Sequence, residues 1–139
     1  MTNQNFAKGS CNCGAVTFSV SIPLTSVYVC HCSICRKSTG SGGLAVTVVP
    51  SESIVYGSGL DKVQAWQKPA HDWLTNFCKV CGSPLPGKND EQHSYIPVSL
   101  LDSGSENLEI THHIFVDSKA NWEEIGTAGK QHPGAFGGE

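Results

Sequence analysis

Phe77-Cys78-Lys79-Val80-Cys81-Gly82-Ser83 decides the reading of this chain. Two cysteines two residues apart and followed by glycine form the turn that aims two thiolates at one metal ion, the glycine relieving the tight backbone. Such a turn needs further ligands from elsewhere, and the sequence supplies them upstream as Cys11-Asn12-Cys13 and Cys30-His31-Cys32-Ser33-Ile34-Cys35. All seven cysteines lie in these three groups. An odd number cannot all pair as disulfides, and clusters at these spacings point to metal binding.

Four sulfurs from Cys11, Cys13, Cys78 and Cys81, and three from Cys30, Cys32 and Cys35, use every cysteine. Spacing alone leaves a second division open, in which Cys11 and Cys13 join Cys30 and Cys32 and strand Cys35 beside Cys78 and Cys81. Under the first division the four-sulfur site is closed and structural, whereas the three-sulfur site keeps one tetrahedral position for a substrate. A thiol entering that position would give up its proton and remain a nucleophile toward an aldehyde held nearby. His71, His93, His112 and His113 are candidates to fill the position instead, which would make the second site structural too.

Around the cysteines the pattern is that of strands. Val16, Phe18, Val20 and Ile22 alternate with small or polar residues until Pro23, the period of a half-buried strand. Val27-Tyr28-Val29 leads into Cys30. Leu44–Val49 and Ser53–Tyr56 predict a hairpin about Pro50-Ser51-Glu52, and 63–66, 72–77, 95–100 and 108–116 predict further strands. Helix is expected only after Cys35 and around Ala120–Glu124. Many short strands between glycine turns make a mainly β protein of antiparallel sheets. Trp66, Trp73 and Trp122 read as core or pocket-wall residues.

The 139 residues suit a single domain able to build one core, with a loose end after His132-Pro133. A net charge of -3 with scattered lysines and arginines excludes the basic stripe of a nucleic-acid binder. Met1–Ser10 shows no secretory or lipidation signal, and the uncharged stretch between Lys8 and Arg36 is too often interrupted by polar residues, Gly14 and Pro23 to span a membrane. A reducing, cytoplasmic setting is expected.

The strings Gly9-Ser10-Cys11-Asn12-Cys13-Gly14-Ala15-Val16, Cys30-His31-Cys32-Ser33-Ile34-Cys35-Arg36-Lys37 and Phe77-Cys78-Lys79-Val80-Cys81-Gly82-Ser83 resemble, in order, those of the glutathione-dependent formaldehyde-activating enzyme family, also called the centromere protein V/Gfa domain. Leu101-Asp102, His113-Ile114-Phe115-Val116 and Lys119-Ala120-Asn121-Trp122 extend the resemblance, which runs from about Gly9 to about Phe136. It implies an Mss4-like, or β-tent, fold of short antiparallel strands organised around zinc. It also implies two zinc ions per chain, one structural on Cys11, Cys13, Cys78 and Cys81 and one catalytic on Cys30, Cys32 and Cys35; the second is expected to be the more labile. The implied activity is that of a carbon-sulfur lyase or thiol-adduct synthase on a small thiol such as glutathione with an aldehyde such as formaldehyde. His31 is then a candidate for proton transfer or a hydrogen-bonding residue, while Arg36 and Lys37 are candidates for the thiol's carboxylates. His113, beginning a β-branched run, is expected to satisfy a backbone group. The alternative is a non-catalytic interaction scaffold, for which the four structural sulfurs alone would suffice. One departure stands out: many members carry a basic residue just before the Phe-Cys of the third cluster, where this chain reads Leu74-Thr75-Asn76-Phe77. If that residue meets an anionic substrate, the preferred thiol here differs from glutathione.

Overall fold

A computed structural model describes residues 5–135; the first four residues and Phe136, the far limit of the resemblance, lie outside the described residues. Thirteen short strands follow the chain as β1 (Ala7–Ser10), β2 (Thr17–Val20), β3 (Ser26–Cys30), β4 (Leu44–Pro50), β5 (Ile54–Ser58), β6 (Val63–Gln67), β7 (Leu74–Cys78), β8 (Pro84–Leu85), β9 (Gly87–Lys88), β10 (His93–Pro97), β11 (Leu101–Ser103), β12 (Glu109–Ile114) and β13 (Lys130–Gln131). One helix, α1 (Ser33–Thr39), interrupts them. The strands form three sheets, ordered β11-β1-β2-β5, β13-β12-β3-β4-β10-β9 and β6-β7-β8. Most neighbours are antiparallel; β12 is the exception, lying parallel to both β3 and β13. No helix among the described residues is long and apolar enough to cross a membrane.

The alternation read in β2 is real. Val16, Phe18 and Val20 are buried, and Phe18 and Val20 meet Ala7, Leu24, Val49 and Ile96 in the main core. Burying each such side chain contributes about 1.5–3 kcal/mol. A second cluster packs Val16 and Leu85 around the buried sulfurs of Cys11 and Cys78. A third packs Leu44 and Tyr95 around Cys35, with Cys30, Cys32 and Trp73 at its margin. Each cysteine group is thus seated on its own apolar floor.

Several expectations need correction. β4 and β5 do not form a hairpin: β4 pairs with β3 and β10, and β5 pairs with β2 in the other sheet. The turn at Ser51–Ser53 carries the chain across, because Val49 and Ile54 pack face to face in the core rather than edge to edge. The buried Ser53 fixes that turn, its hydroxyl donating to the Pro50 carbonyl (2.6 Å) and its own carbonyl accepting from Ser21 N–H (2.9 Å). Residues 98–100 make a 3₁₀ turn after Pro97 instead of continuing the strand. β12 stops at Ile114, since Phe115 adopts a left-handed φ of 57°.

Ala120–Glu124 is no helix. It is a turn held by Glu123 N–H on the Ala120 carbonyl, too short to repay helix nucleation. Nor is the segment after His132 loose as far as it is described. β13 joins the sheet, His132 is buried, and the carbonyls of His132 and Gly134 accept from Val116 and Phe115 N–H. Trp66 and Trp122 are exposed, the former because β6 is the outer strand of its sheet. Trp73 does serve as a wall, stacked on Tyr95 with ring centroids 5.7 Å apart.

Gly59 tests the fold directly. It sits at φ 78°, and a Cβ there would run into the Ala15 carbonyl oxygen. Gly59→Ala is expected to lower stability by at least about 2 kcal/mol, read as a drop in the thermal midpoint. Gly126→Ala, where a Cβ meets nothing within 4 Å, should leave the midpoint unchanged.

Candidate metal centres

The first group is built by two turns brought face to face. In Cys11-Asn12-Cys13-Gly14 the Gly14 N–H donates to the Cys11 carbonyl (3.0 Å), and in Cys78-Lys79-Val80-Cys81-Gly82 the Gly82 N–H donates to the Cys78 carbonyl (2.7 Å). Both glycines stand at φ 81°, a conformation that disfavours any side chain. Ser83 links the turns, its Oγ accepting from Asn12 N–H (2.8 Å) and lying 3.2 Å from Cys81 Sγ. Cys11 and Cys13 sulfurs are 3.6 Å apart, and Cys13 and Cys78 sulfurs 3.8 Å. A tetrahedral zinc with bonds of about 2.3 Å sets its sulfurs roughly 3.8 Å apart, so the donor set fits such an ion.

The four thiols do not share one acidity. Burial, and to a lesser degree Cys81, raises Cys11, but the Val16 N–H (3.3 Å from its sulfur) and the thiols of Cys13 and Cys78 outweigh them, and the net shift is downward. Cys81 falls to about 5, led by the Ser83 hydroxyl. Cys13 is pushed up to about 11: the Ala15 backbone lowers it, yet desolvation and the three other sulfurs prevail. Without a cation the group ionises only in part; a divalent ion removes that limit.

Cys30, Cys32 and Cys35 converge where β3 passes into α1. Their sulfurs all lie within 4.8 Å of one another. Cys32 is the N-cap of α1, its sulfur accepting from the Cys35 N–H (3.4 Å), so that the helix start favours its thiolate. Hydrogen bonds from Cys30 and then Cys35 take Cys32 down to about 2. The same bonds raise its partners: Cys30 goes to about 11, chiefly through Cys32, and Cys35 rises furthest through Cys30, Cys32 and burial. One negative charge shared by three sulfurs is the arrangement a bound cation would convert to three.

The histidines named as possible fourth ligands do not complete this site. Among the described residues no His, Asp or Glu joins either cysteine group, and the first division of the sulfurs is the one the fold makes. Beside Cys35 stand Leu44, Tyr95 and Trp73, the Trp73 indole nitrogen buried without a hydrogen-bond partner. Burial, with Cys35 nearby, pushes the Tyr95 hydroxyl up to about 12, although Thr75 works against this.

His31 is 2 % exposed and is a hydrogen-bonding residue, its Nε2 lying 2.9 Å from His113 Nδ1. His113 satisfies a backbone group as expected, with its Nε2 donating to the Ala128 carbonyl (3.0 Å). Arg36 is half-buried, its Nε donating to the His31 carbonyl (3.4 Å), and Lys37 is exposed. Asn76, at the position that departs from the family pattern, donates through Nδ2 to the Pro86 carbonyl (3.0 Å) and is a structural residue of β7. Ser83 and Tyr95 were not singled out by sequence reasoning. Ser83 was within reach of it, as the residue that ends the Cys-Gly-Ser turn.

Known proteins sharpen this picture. Residues 6–118 match the sequence model of the family described as glutathione-dependent formaldehyde-activating enzyme. A Halomonas elongata protein, provisionally named as such an enzyme, is 32% identical over 128 residues, covering 85% of this chain and 80% of its own. The crystal structure of a Rhodobacter sphaeroides protein shares the fold with a TM-score of 0.56 at 23% identity, over 68% of this chain and 87% of that one. Both cysteine turns of the four-sulfur group and the whole three-sulfur group fall inside the matched span, and the chain belongs to the glutathione-dependent formaldehyde-activating enzyme family.

Proposed function

We propose that this protein is a zinc-dependent thiol-adduct synthase and carbon-sulfur lyase: it adds the S–H of a small thiol, glutathione first, across the carbonyl of an aldehyde such as formaldehyde, and catalyses the reverse cleavage. The observation that carries the reading is the convergence of Cys30, Cys32 and Cys35 with no fourth protein ligand beside them among the described residues. Two zinc ions per chain are expected, one on each cysteine group, the second the more labile. Zinc on the three-sulfur group supplies the means to deprotonate and orient an incoming thiol.

The chain's own residues do the rest. Cys32, as helix N-cap, anchors the ligand set to α1. Leu44, Tyr95 and Trp73 wall the group on the Cys35 side and keep water from that flank. Arg36 and Lys37, in the last turn of α1, offer cationic contacts for the carboxylates of a peptide thiol. With Asn76 held by Pro86, the expected preference for an anionic thiol rests on Arg36 and Lys37.

Cobalt substitution tests the proposal. Glutathione is expected to change the sulfur-to-cobalt charge-transfer spectrum of the fully loaded protein. The zinc form should speed formation of S-hydroxymethylglutathione beyond the uncatalysed rate followed by NMR. An unchanged spectrum together with an unaltered rate, for glutathione and for simple thiols alike, would leave the scaffold reading in its place.

A further inference from the structure

The middle cysteine group is held from behind by a residue far away in sequence. His31 lies between two of the three sulfur-bearing residues, and in extended backbone its side chain points to the face opposite theirs. Every handle of His31 but one is taken. Its N–H donates to the Ile114 carbonyl (3.0 Å), its carbonyl accepts from Arg36 Nε (3.4 Å), and its Nε2 meets His113 Nδ1 (2.9 Å). Nδ1 is buried against the Gly42–Gly43 backbone and makes no well-formed hydrogen bond.

The direction of the ring-to-ring bond follows from the far end. The Ala128 carbonyl can only accept, so His113 Nε2 carries a hydrogen. The arrangement that leaves both rings uncharged then has His31 Nε2–H donating to His113 Nδ1. His113 is itself fixed on both sides, since β12 pairs with β3 (His113 opposite Val29) and with β13, where His132 N–H donates to the His113 carbonyl (2.8 Å).

We propose that His113 is the positioning residue of the three-sulfur site: by accepting from His31 it locks the Cys30-His31-Cys32 turn so that the sulfurs of Cys30 and Cys32 stay in metal-binding register with Cys35. The proposal rests on the metal reading of that site. Of the three bonds holding His31, this is the one supplied by a distant side chain, and so the one that a substitution removes without altering the backbone. A metal site tolerates about 0.5 Å of displacement in its ligands, so freeing the turn reaches the metal although His113 touches neither sulfur nor ion.

Cadmium-113 NMR of the protein loaded at both groups reads this, because the two groups differ in sulfur count and give separate resonances. In His113→Phe, which fills the space but cannot accept, the three-sulfur resonance is expected to shift and broaden. Metal release from that group to a chelator should quicken about tenfold. The four-sulfur resonance stays in place and certifies the fold. His113→Asn, whose Oδ1 replaces the accepting nitrogen, should restore slow release. His132→Phe, at an equally buried histidine paired with His112, should alter neither resonance. Should His113→Phe lose the four-sulfur signal, the smaller His113→Leu is read in the same way. Wild-type release in the folded Phe or Leu variant, or release from His113→Asn as fast as from His113→Phe, overturns the proposal. A single resonance in the wild-type protein overturns the metal reading of the three-sulfur group, and the positioning role with it.

Discussion

Cys78→Ser is expected to abolish the cooperative thermal transition. Cys78 is fully buried, and its sulfur joins a four-sulfur group whose other members come from the turn at Cys11–Gly14 and from Cys81. Structural zinc sites contribute apparent binding free energies of about 10–16 kcal/mol in small zinc peptides, comparable with the roughly 5–15 kcal/mol of a whole domain's stability. Serine oxygen is a poor substitute ligand, and its hydroxyl would be buried among Val16 and Leu85. A loss of at least about 5 kcal/mol follows, because the main core around Phe18 and Ile96 offsets part of the damage. Near-ultraviolet circular dichroism and the dispersion of amide resonances check it. A variant with the parent's melting temperature would show that this group does not hold the fold together.

Cys32→Ser should have the opposite profile, with turnover lost and fold retained. Loss of a residue that merely supports a metal ligand costs about 10–100-fold in affinity or activity, and removal of a ligand itself should exceed the upper figure. Stability is spared for a local reason. Cys32 caps α1 by accepting from the Cys35 N–H, and serine is among the best N-cap residues, so the helix keeps its start. Zinc content is expected to fall by one equivalent. S-hydroxymethylglutathione formation should fall to the uncatalysed rate, with the melting temperature within a few degrees of the parent. Undiminished turnover would remove the three-sulfur group from the chemistry.

What could be read in advance divides along physical lines. The grouping of the cysteines was legible because their close spacing lets single turns gather the sulfurs, and β2 was legible because a strand with one buried face must alternate. The pairing of β4 with β3 and β10, rather than with β5, was not. Local periodicity shows that a stretch is extended but not which edge it finds, and the crossing at Ser51–Ser53 depends on two sheets sharing one core. The parallel register of β12 on β3 was hidden for the same reason. Trp66 was misplaced because large aromatic residues are usually covered, while an outermost strand leaves both of its faces wet. His31 was read as a proton-transfer or hydrogen-bonding candidate and His113 as a residue satisfying a backbone group; they stand 82 positions apart, and only the fold pairs them.

The two cysteine groups also differ in when a growing chain can assemble them. Cys30, Cys32 and Cys35 span six residues at the start of one short helix, and their ligands are all present once that segment has left the ribosome. The four-sulfur group must wait for the turn at Cys78–Gly82, with Cys13 and Cys78 standing 65 positions apart. An ion caught early by the local group would sit in a turn whose proposed backing, His113, has not yet been synthesised. It would be held loosely until the last strands arrive, and cells short of zinc are expected to accumulate chains that carry an ion on the four-sulfur group and lack the other.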